Sequence, residues 1–475
     1  MPSQKTKQKD MAKNKQFTIN NLTIDSAGND GRCVGRADDM VVFVDHVVPG
    51  DVVDAFVYRK KRRFAEARAI HFHKYSEFRV EARCQHFGLC GGCKWQNLEY
   101  AKQVEFKRNH VVDCLTRLCK IELPEVLPCI GSDHQFYYRN KMEYTFSTRR
   151  WIMNPEDKTE NGEVDTLGFH MPGRYDKILQ IENCHLQAPL HNEIRNYIYE
   201  YAIQHGLEFY DLRKQEGLLR SIIIRNTTQG EWMLIFTFHR MEENVIFPLM
   251  KDVEAKFPQI TTIDYVINQK LNNVISDLDA VNFKGPGYMV EHMDNLQFRI
   301  NPKAFYQTNP AQAKVLYSVA RDFAQLTGNE LVYDLYTGTG TIALFLANRA
   351  KKVIGVEYVK EAIDDAKINS EINQIYNTEF FAGDMKDVLN DEFIAAHGKP
   401  DVVITDPPRT GMHPDVVKMI VGLGAKRVVY VSCNPATQAR DLSILDEKYK
   451  VMKIQPVDMF PQTNHVENVV LLELK

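Results

Sequence analysis

The sequence lacks any run of apolar residues approaching the ~18 needed to cross a bilayer, which excludes a membrane-spanning helix. It lacks the apolar centre of an export signal as well: residues 1–15, MPSQKTKQKDMAKNK, carry five lysines and no hydrophobic stretch. We read them as a short disordered basic tail on a cytoplasmic protein, either a weak tether for a polyanion or a solvated end. Even pairing of cysteines is missing: there are nine, an odd number, and with no export signal a disulfide framework is not expected. Internal repeats are absent, and so are low-complexity tracts beyond the tail.

What is present fits a soluble chain of two or three domains: 475 residues, 44% apolar and 25% charged. The net charge of −3 hides an asymmetry. Residues 1–150 hold 26 Lys+Arg against 18 Asp+Glu, whereas the remainder holds 33 against 44. A basic front joined to an acidic rear suggests that one part meets a polyanion while another does something else. Nothing demands more than a monomer.

Residues 16–74 read as a small β-rich unit, with the apolar run Val41–Val44, a turn at Pro49-Gly50-Asp51 and alternation through Val53, Ala55 and Val57. Directly after it come Arg59, Lys60, Lys61, Arg62 and Arg63, flanked by Tyr58 and Phe64. Cations beside aromatic rings suit phosphate contacts and base stacking, although a solvated charge run has the same composition. Residues 75–290 form a mixed α+β segment, with a helix expected over 99–119 and strands at 137–141 and 221–225. Residues 291–475 alternate strands and helices, the mark of a parallel α/β sheet. The expected strands are 331–335, 352–356, 402–405 and 427–431, and the expected helices are 342–350 and 360–372.

Between the first of those strands and its helix lies Asp334-Leu-Tyr-Thr-Gly338-Thr-Gly340-Thr341. Glycines there let the backbone turn and let a ligand approach without a Cβ in the way, although tight helix–strand packing alone would also explain them. Glu357 ends the next strand, where a carboxylate can accept the ribose hydroxyls of an adenosine, and Asp384 closes a third strand within reach of an adenine amino group. A rigid Asp406-Pro407-Pro408 ends the fourth, where the crevice of such a sheet opens.

Cys433, in Val431-Ser-Cys-Asn-Pro435, stands at the carboxyl end of a buried strand facing the same crevice. A cysteine there suits one reaction in particular. Carbon 5 of uracil is a poor nucleophile until a thiolate adds to carbon 6 and turns the ring into an enolate. After alkylation at carbon 5, a base must remove the proton there so that the thiolate can leave. The candidate bases are Glu467 and His465, in Asn464-His-Val-Glu467; Glu467 is preferred because a desolvated carboxylate can be poised for that transfer. Far upstream, Cys84-x5-Cys90-Gly-Gly-Cys93 brings three thiols into one loop, and Cys184 is the best-placed fourth. Four thiolates would hold zinc or a 4Fe–4S cluster; spacing does not separate the two cleanly, but structural zinc sites typically come as two C-x-x-C knuckles and only one stands here.

Taken together, Cys84-x5-Cys-Gly-Gly-Cys93-Lys-Trp-Gln96, Asp406-Pro-Pro-Arg-Thr-Gly411, Ser432-Cys-Asn-Pro435 and His465-Val-Glu467 resemble the RNA uracil-5-methyltransferase family, most of all its iron–sulfur-containing 23S rRNA branch. The resemblance runs from about residue 16 to the end. It implies an oligonucleotide-binding-like TRAM barrel over 16–74, a central iron–sulfur and RNA-binding domain over 75–290, and a Rossmann-like S-adenosylmethionine-dependent domain over 291–475. It further implies a 4Fe–4S cluster on Cys84, Cys90, Cys93 and Cys184, Cys433 as nucleophile and Glu467 as proton acceptor. Donor contacts would fall on Gln307, Tyr336, Thr341, Glu357, Asp384 and Asp406, beside Gly338 and Gly340. Many members carry Asn where Thr341 stands. Since tRNA-directed members generally lack both barrel and cluster, the implied partner is 23S rRNA, with tRNA as the alternative. More distant readings are an iron–sulfur oxidoreductase, an RNA-binding protein with an inactive methyltransferase domain, and an amino-group methyltransferase. The last usually places an aromatic residue after Asp-Pro-Pro, where Arg409 stands here.

Overall fold

A computed structural model describes residues 16–28, 30–153, 156 and 163–475; the expected N-terminal tail lies outside them. The chain first closes a five-stranded barrel from β1 (Phe17–Ala27), β2 (Cys33–Ala37), β3 (Met40–Asp45), β4 (Val52–Lys60) and β5 (Phe64–Lys74), in the order β1-β2-β3-β5-β4. Period-2 alternation turns Val53, Ala55 and Val57 of β4 inward against Ala65 and Ala67 of β5. Alanines are what so narrow an interior accepts. The basic run occupies the tip of the β4–β5 hairpin, where all five cations are exposed.

Helix α1 (Tyr100–Leu118) follows the cysteine loop. Although it precedes the central sheet in sequence, Val111 and Leu115 of α1 join the same apolar core as Tyr430 and Leu442 near the other end of the chain. The central sheet holds β6 (Lys141–Ser147), β7 (Thr166–Met171), β8 (Arg174–Gln180), β9 (Leu219–Asn226), β10 (Trp232–Phe238), β11 (Ile260–Ile267) and β12 (Ala280–Lys284), ordered β12-β11-β10-β9-β6-β7-β8. Helices α2 (Pro189–Gln204) and α3 (Glu243–Lys256) cover one face. The strand expected at 137–141 begins only at Lys141: Tyr137 adopts φ 58°, a left-handed conformation that ends any extended run there, and its N–H donates to the carbonyl of His185.

A hairpin, β13 (Met289–Met293) and β14 (Leu296–Ile300), leads into the last domain. Its strands are β15 (Leu331–Leu335), β16 (Lys352–Glu357), β17 (Thr378–Ala382), β18 (Val402–Thr405), β19 (Arg427–Ser432), β20 (Tyr449–Val457) and β21 (Glu467–Leu474), ordered β17-β16-β15-β18-β19-β21-β20. The helices are α4 (Pro310–Ala324), α5 (Thr341–Ala347), α6 (Lys360–Ile372), α7 (Met385–Val388), α8 (Asp391–His397), α9 (Pro414–Leu423) and α10 (Pro435–Leu445). The first five strands of that order are parallel, and β21 returns antiparallel against β19. Chain order reverses between β15 and β18, so the strand ends there open a crevice. No helix of the described residues is long and apolar enough to cross a membrane.

Candidate active site

The crevice widens into a cavity of about 1600 Å³ lined by residues of the glycine loop, the Asp406-Pro-Pro segment, the ends of β19 and β21, and the cysteine loop. Its glycines differ in purpose. At Gly340 (φ 78°) a Cβ would come within 3.0 Å of the Ala366 methyl and 3.1 Å of the Phe380 ring, so packing against α6 and β17 forbids a side chain. At Gly338 (φ 55°) a Cβ would meet nothing within 4 Å. Its missing side chain therefore opens cavity rather than relieving a clash. Tyr336 is also left-handed, at φ 63°, and its N–H donates to the carbonyl of Val356, pinning the loop to β16.

Glu357 ends β16 with one oxygen on this loop: Oε2 accepts the Gly338 N–H at 3.2 Å, while Oε1 accepts the Val359 N–H at 3.0 Å just beyond its own strand. Asp334 is fully buried and takes a hydrogen bond from Thr337 Oγ1 at 2.6 Å, with the Ala343 N–H also stabilising its charge. Burial, with the nearby Glu357 charge, lifts its carboxyl to about 7 against those hydrogen bonds. Gln307 lines the cavity and hydrogen-bonds the buried Tyr317, and Thr341 lines it with its hydroxyl 3.3 Å from that of Thr339. Asp384 stands apart. It lies two residues past β17, caps α7 by accepting the Lys386 N–H at 3.2 Å, and is not among the lining residues, although its charge reaches the Tyr336 hydroxyl.

The ends of β19 and β21 bring the remaining groups together by register. Ser432 pairs with Asn468 across the antiparallel ladder, so the next residue of each strand end, Cys433 and Glu467, face one another at the cavity wall. Burial, then the neighbouring Glu467 and Asp406, push the Cys433 thiol up to about 11; Arg409 opposes them by charge and a side-chain hydrogen bond. Burial and Asp406 hold the Glu467 carboxyl well above the usual carboxylate range, again against Arg409. Burial and Asp334 lift Asp406 to about 7. Arg409 is the cation among these acids, whereas in the sequence it stands out only for not being aromatic. Its carbonyl accepts from Asn434 Nδ2 at 2.9 Å and Thr437 Oγ1 at 3.3 Å, which fixes the Asp406-Pro-Pro segment to the start of α10. The signal that could have found it is a lone arginine three residues past a strand-end acid.

All four clustered cysteines line the same cavity. Gln96 organises their loop, accepting the Cys84 N–H at 3.0 Å and donating to Cys93 Sγ at 3.1 Å. Burial raises the thiols of Cys84, Cys93 and Cys184, and each is raised further by charge on other members of the set. Among the described residues no three Cys, His, Asp or Glu side chains are spaced as ligands of a single metal ion. In the barrel, Arg59 pairs with Glu66 at 3.2 Å, Lys60 lies over the Phe17 ring and Lys61 over Phe64, while no ion pair among the described residues engages Arg62 or Arg63.

The model of the tRNA (uracil-5-)-methyltransferase family matches residues 226–475, and that of the TRAM domain matches residues 13–70. An uncharacterized RNA methyltransferase of Bacteroides thetaiotaomicron is 54% identical, covering 94% of this chain and 99% of its own. Another, from Porphyromonas gingivalis, is 50% identical over 95% and 99%. Among solved structures, the Pyrococcus abyssi tRNA (uracil-54, C5)-methyltransferase in complex with S-adenosyl-L-homocysteine superimposes with a TM-score of 0.73 at 26% identity, covering 95% of this chain and 99% of that one. With a barrel in front and a methyltransferase sheet behind, matched along nearly their whole length by such relatives, this chain belongs to the RNA uracil-5-methyltransferase family.

Proposed function

We propose that this protein methylates carbon 5 of a uridine in structured RNA, with Cys433 as nucleophile and Glu467 as the acceptor of the carbon 5 proton. The observation that carries the reading is the facing of Cys433 and Glu467 across the β19–β21 register, in a cavity that also receives the open face of Gly338. The thiolate of Cys433 bonds to carbon 6, and the electron pair of the C5–C6 double bond moves into the ring as an enolate. S-adenosylmethionine supplies the methyl as a sulfonium electrophile. Carbon 5 takes that methyl as the methyl–sulfur bond breaks and neutral S-adenosylhomocysteine leaves; Glu467 then removes the carbon 5 proton, and the freed electron pair rebuilds the double bond as the Cys433 thiolate leaves. Arg409 favours the ionised forms of both groups, and the buried surroundings strengthen its pull.

Gln307, Tyr336, Gly338, Thr341, Glu357 and Asp406 line the cavity and would hold the donor; Asp384, outside the lining, would act through its charge on Tyr336. Four half-buried cysteines lining one cavity would suit a 4Fe–4S cluster on Cys84, Cys90, Cys93 and Cys184, with zinc second. Iron there would tie the 84–93 loop to the segment following β8 and stabilise the thiolates; no step of the reaction passes through it. Brown anaerobic protein absorbing near ~400 nm supports the cluster, and colourless protein with stoichiometric zinc refutes it.

The cationic hairpin tip of the barrel and the cysteine loop support 23S rRNA as the substrate. A second reading, tRNA, is favoured by the Pyrococcus neighbour, a tRNA (uracil-54, C5)-methyltransferase that matches this chain over 95% of its length. Mapping 5-methyluridine in both RNAs of a deletion strain separates them. For the chemistry, labelled donor and unmodified RNA should give 5-methyluridine, and Cys433→Ala should abolish it. Any other methylated nucleoside defeats the assignment.

A further inference from the structure

The segment between β20 and Glu467, residues 458–466, has no helix or strand of its own, yet most of it is buried. Its polar groups are answered chiefly from residues 93–138. Lys107 Nζ lies 2.5 Å from Asp458 Oδ1, and both side chains are wholly inaccessible. Tyr100 Oη donates to the other Asp458 oxygen at 2.9 Å, and Lys107 also donates to the carbonyl of Phe460 at 3.0 Å. One turn away, Gln103 and Gln462 bond reciprocally: Gln103 Nε2 donates to Gln462 Oε1 at 3.0 Å, and the Gln462 N–H donates to Gln103 Oε1 at 2.9 Å. Tyr138 Oη donates to the carbonyl of Pro461 at 2.9 Å. The carbonyl of Gln462, a residue held at φ 69°, accepts the N–H groups of Lys94 and Trp95, the two residues after Cys93.

Tyr100, Gln103 and Lys107 share one face of α1, at spacings of three and four. Burying Gln and Lys there is a poor way to gain stability, because a desolvated ion pair seldom outperforms apolar side chains of the same volume. What such a pair does fix is geometry. We propose that Lys107 and Gln103 are positioning residues: through Asp458 and Gln462 they hold the segment that aims Glu467 at carbon 5, and they make the cysteine loop part of the same fixture. The inference rests on the reading of Glu467 as proton acceptor.

The test uses full-length protein with ordinary uridine RNA and donor, following product and the covalent Cys433–RNA complex on denaturing gels. If Glu467 is misaimed, addition and methyl transfer proceed while proton removal lags, so the methylated adduct accumulates. We expect Lys107→Met/Asp458→Leu, which replaces the pair by apolar volume, to lower kcat by ~100-fold with KM for RNA changed less than ~3-fold, and to accumulate adduct. Gln103→Met, which leaves the ion pair intact, should do the same more weakly and decides the matter if the double variant does not fold. Wild-type kcat without adduct in the folded variants overturns the proposal, as does a raised KM at unchanged kcat. Glu467→Gln on the same gel keeps the two ideas apart. If it gives no adduct, the proton-acceptor reading fails; if it does and the positioning variants do not, only the positioning role falls.

Discussion

The Arg409 guanidinium lies 2.6 Å from Nδ1 of His465 and so occupies the lone pair that a base at this position would need. A guanidinium donates and never accepts, so Nδ1 must present its lone pair to Arg409. Burial, then the charge of Arg409, lowers His465 to about 4, leaving it neutral and already engaged. Glu467, two residues on, has a carboxyl whose proton affinity burial and Asp406 raise against Arg409, so that in its ionised form it is a strong proton acceptor. His465→Gln should therefore lower kcat by about tenfold through a loosened Arg409, whereas Glu467→Gln should stop turnover, a loss of at least ~10³-fold. Rates from single-turnover assays check both. Turnover in Glu467→Gln above that in His465→Gln would reverse the roles.

Acids held protonated by burial make stability depend on pH in a definite direction. The folded state keeps a proton that the unfolded chain has lost, so stability is complete below the unfolded value and declines as pH rises through the folded one. For Asp406 the window runs from the ordinary 3.8 to about 7. The loss has an upper bound of about 4 kcal/mol, reduced by the side chain's partial access to the cavity. Asp406→Asn removes that slope. Its melting temperature should match wild type near pH 4 and exceed it by a few degrees at pH 8. Calorimetry across the range measures this, and a wild-type advantage at pH 8 would contradict it.

The methyltransferase sheet is legible in the sequence because parallel strands covered on both faces are continuous apolar runs. Leu331–Leu335 and Val402–Thr405 have the expected bounds, as does helix Lys360–Ile372. Ser432, rather than Val431, ends β19. Less can be read where long-range pairing decides. Nothing local to Cys433 says that Glu467 stands opposite, since that follows from the register of β21 against β19. Helix α1 hides its destination in the same way: its buried face includes Gln103 and Lys107, so its pattern does not reveal that it packs on the last domain. The spacing of Asp384 suggests a strand end, but the strand stops two residues short of it.

At the barrel, the hairpin tip contains cations of two kinds. Arg59 is matched by Glu66, whereas no ion pair among the described residues engages Arg62 or Arg63, which leaves their charge for a polyanion. Arg62→Ala/Arg63→Ala should weaken RNA binding and lower the slope of log affinity against log salt by about 2, one for each phosphate no longer neutralised. Arg59→Ala should change the slope by less than about half as much. Binding titrations at several salt concentrations test this; equal slopes for all variants would remove the hairpin from the RNA interface.

The two glycines of the nucleotide loop predict opposite defects. At Gly340 a methyl group would sit 3.0 Å from the Ala366 methyl and 3.1 Å from the Phe380 ring, both buried in the core, and the backbone there is left-handed. Gly340→Ala combines overpacking with about 1–2 kcal/mol of conformational strain, so it should lower the melting temperature. Gly338→Ala has the same kind of strain and no clash, because nothing lies within 4 Å of the added atom. The new methyl projects into the cavity instead. Gly338→Ala should therefore be the more stable of the two, yet weaken S-adenosylmethionine binding by at least ~10-fold, the effect of about 1.4 kcal/mol. Thermal melts paired with calorimetric titration of the donor separate the cases. If Gly338→Ala bound the donor as wild type does, the open space at that position would belong to solvent, and the donor would have to lie elsewhere in the cavity.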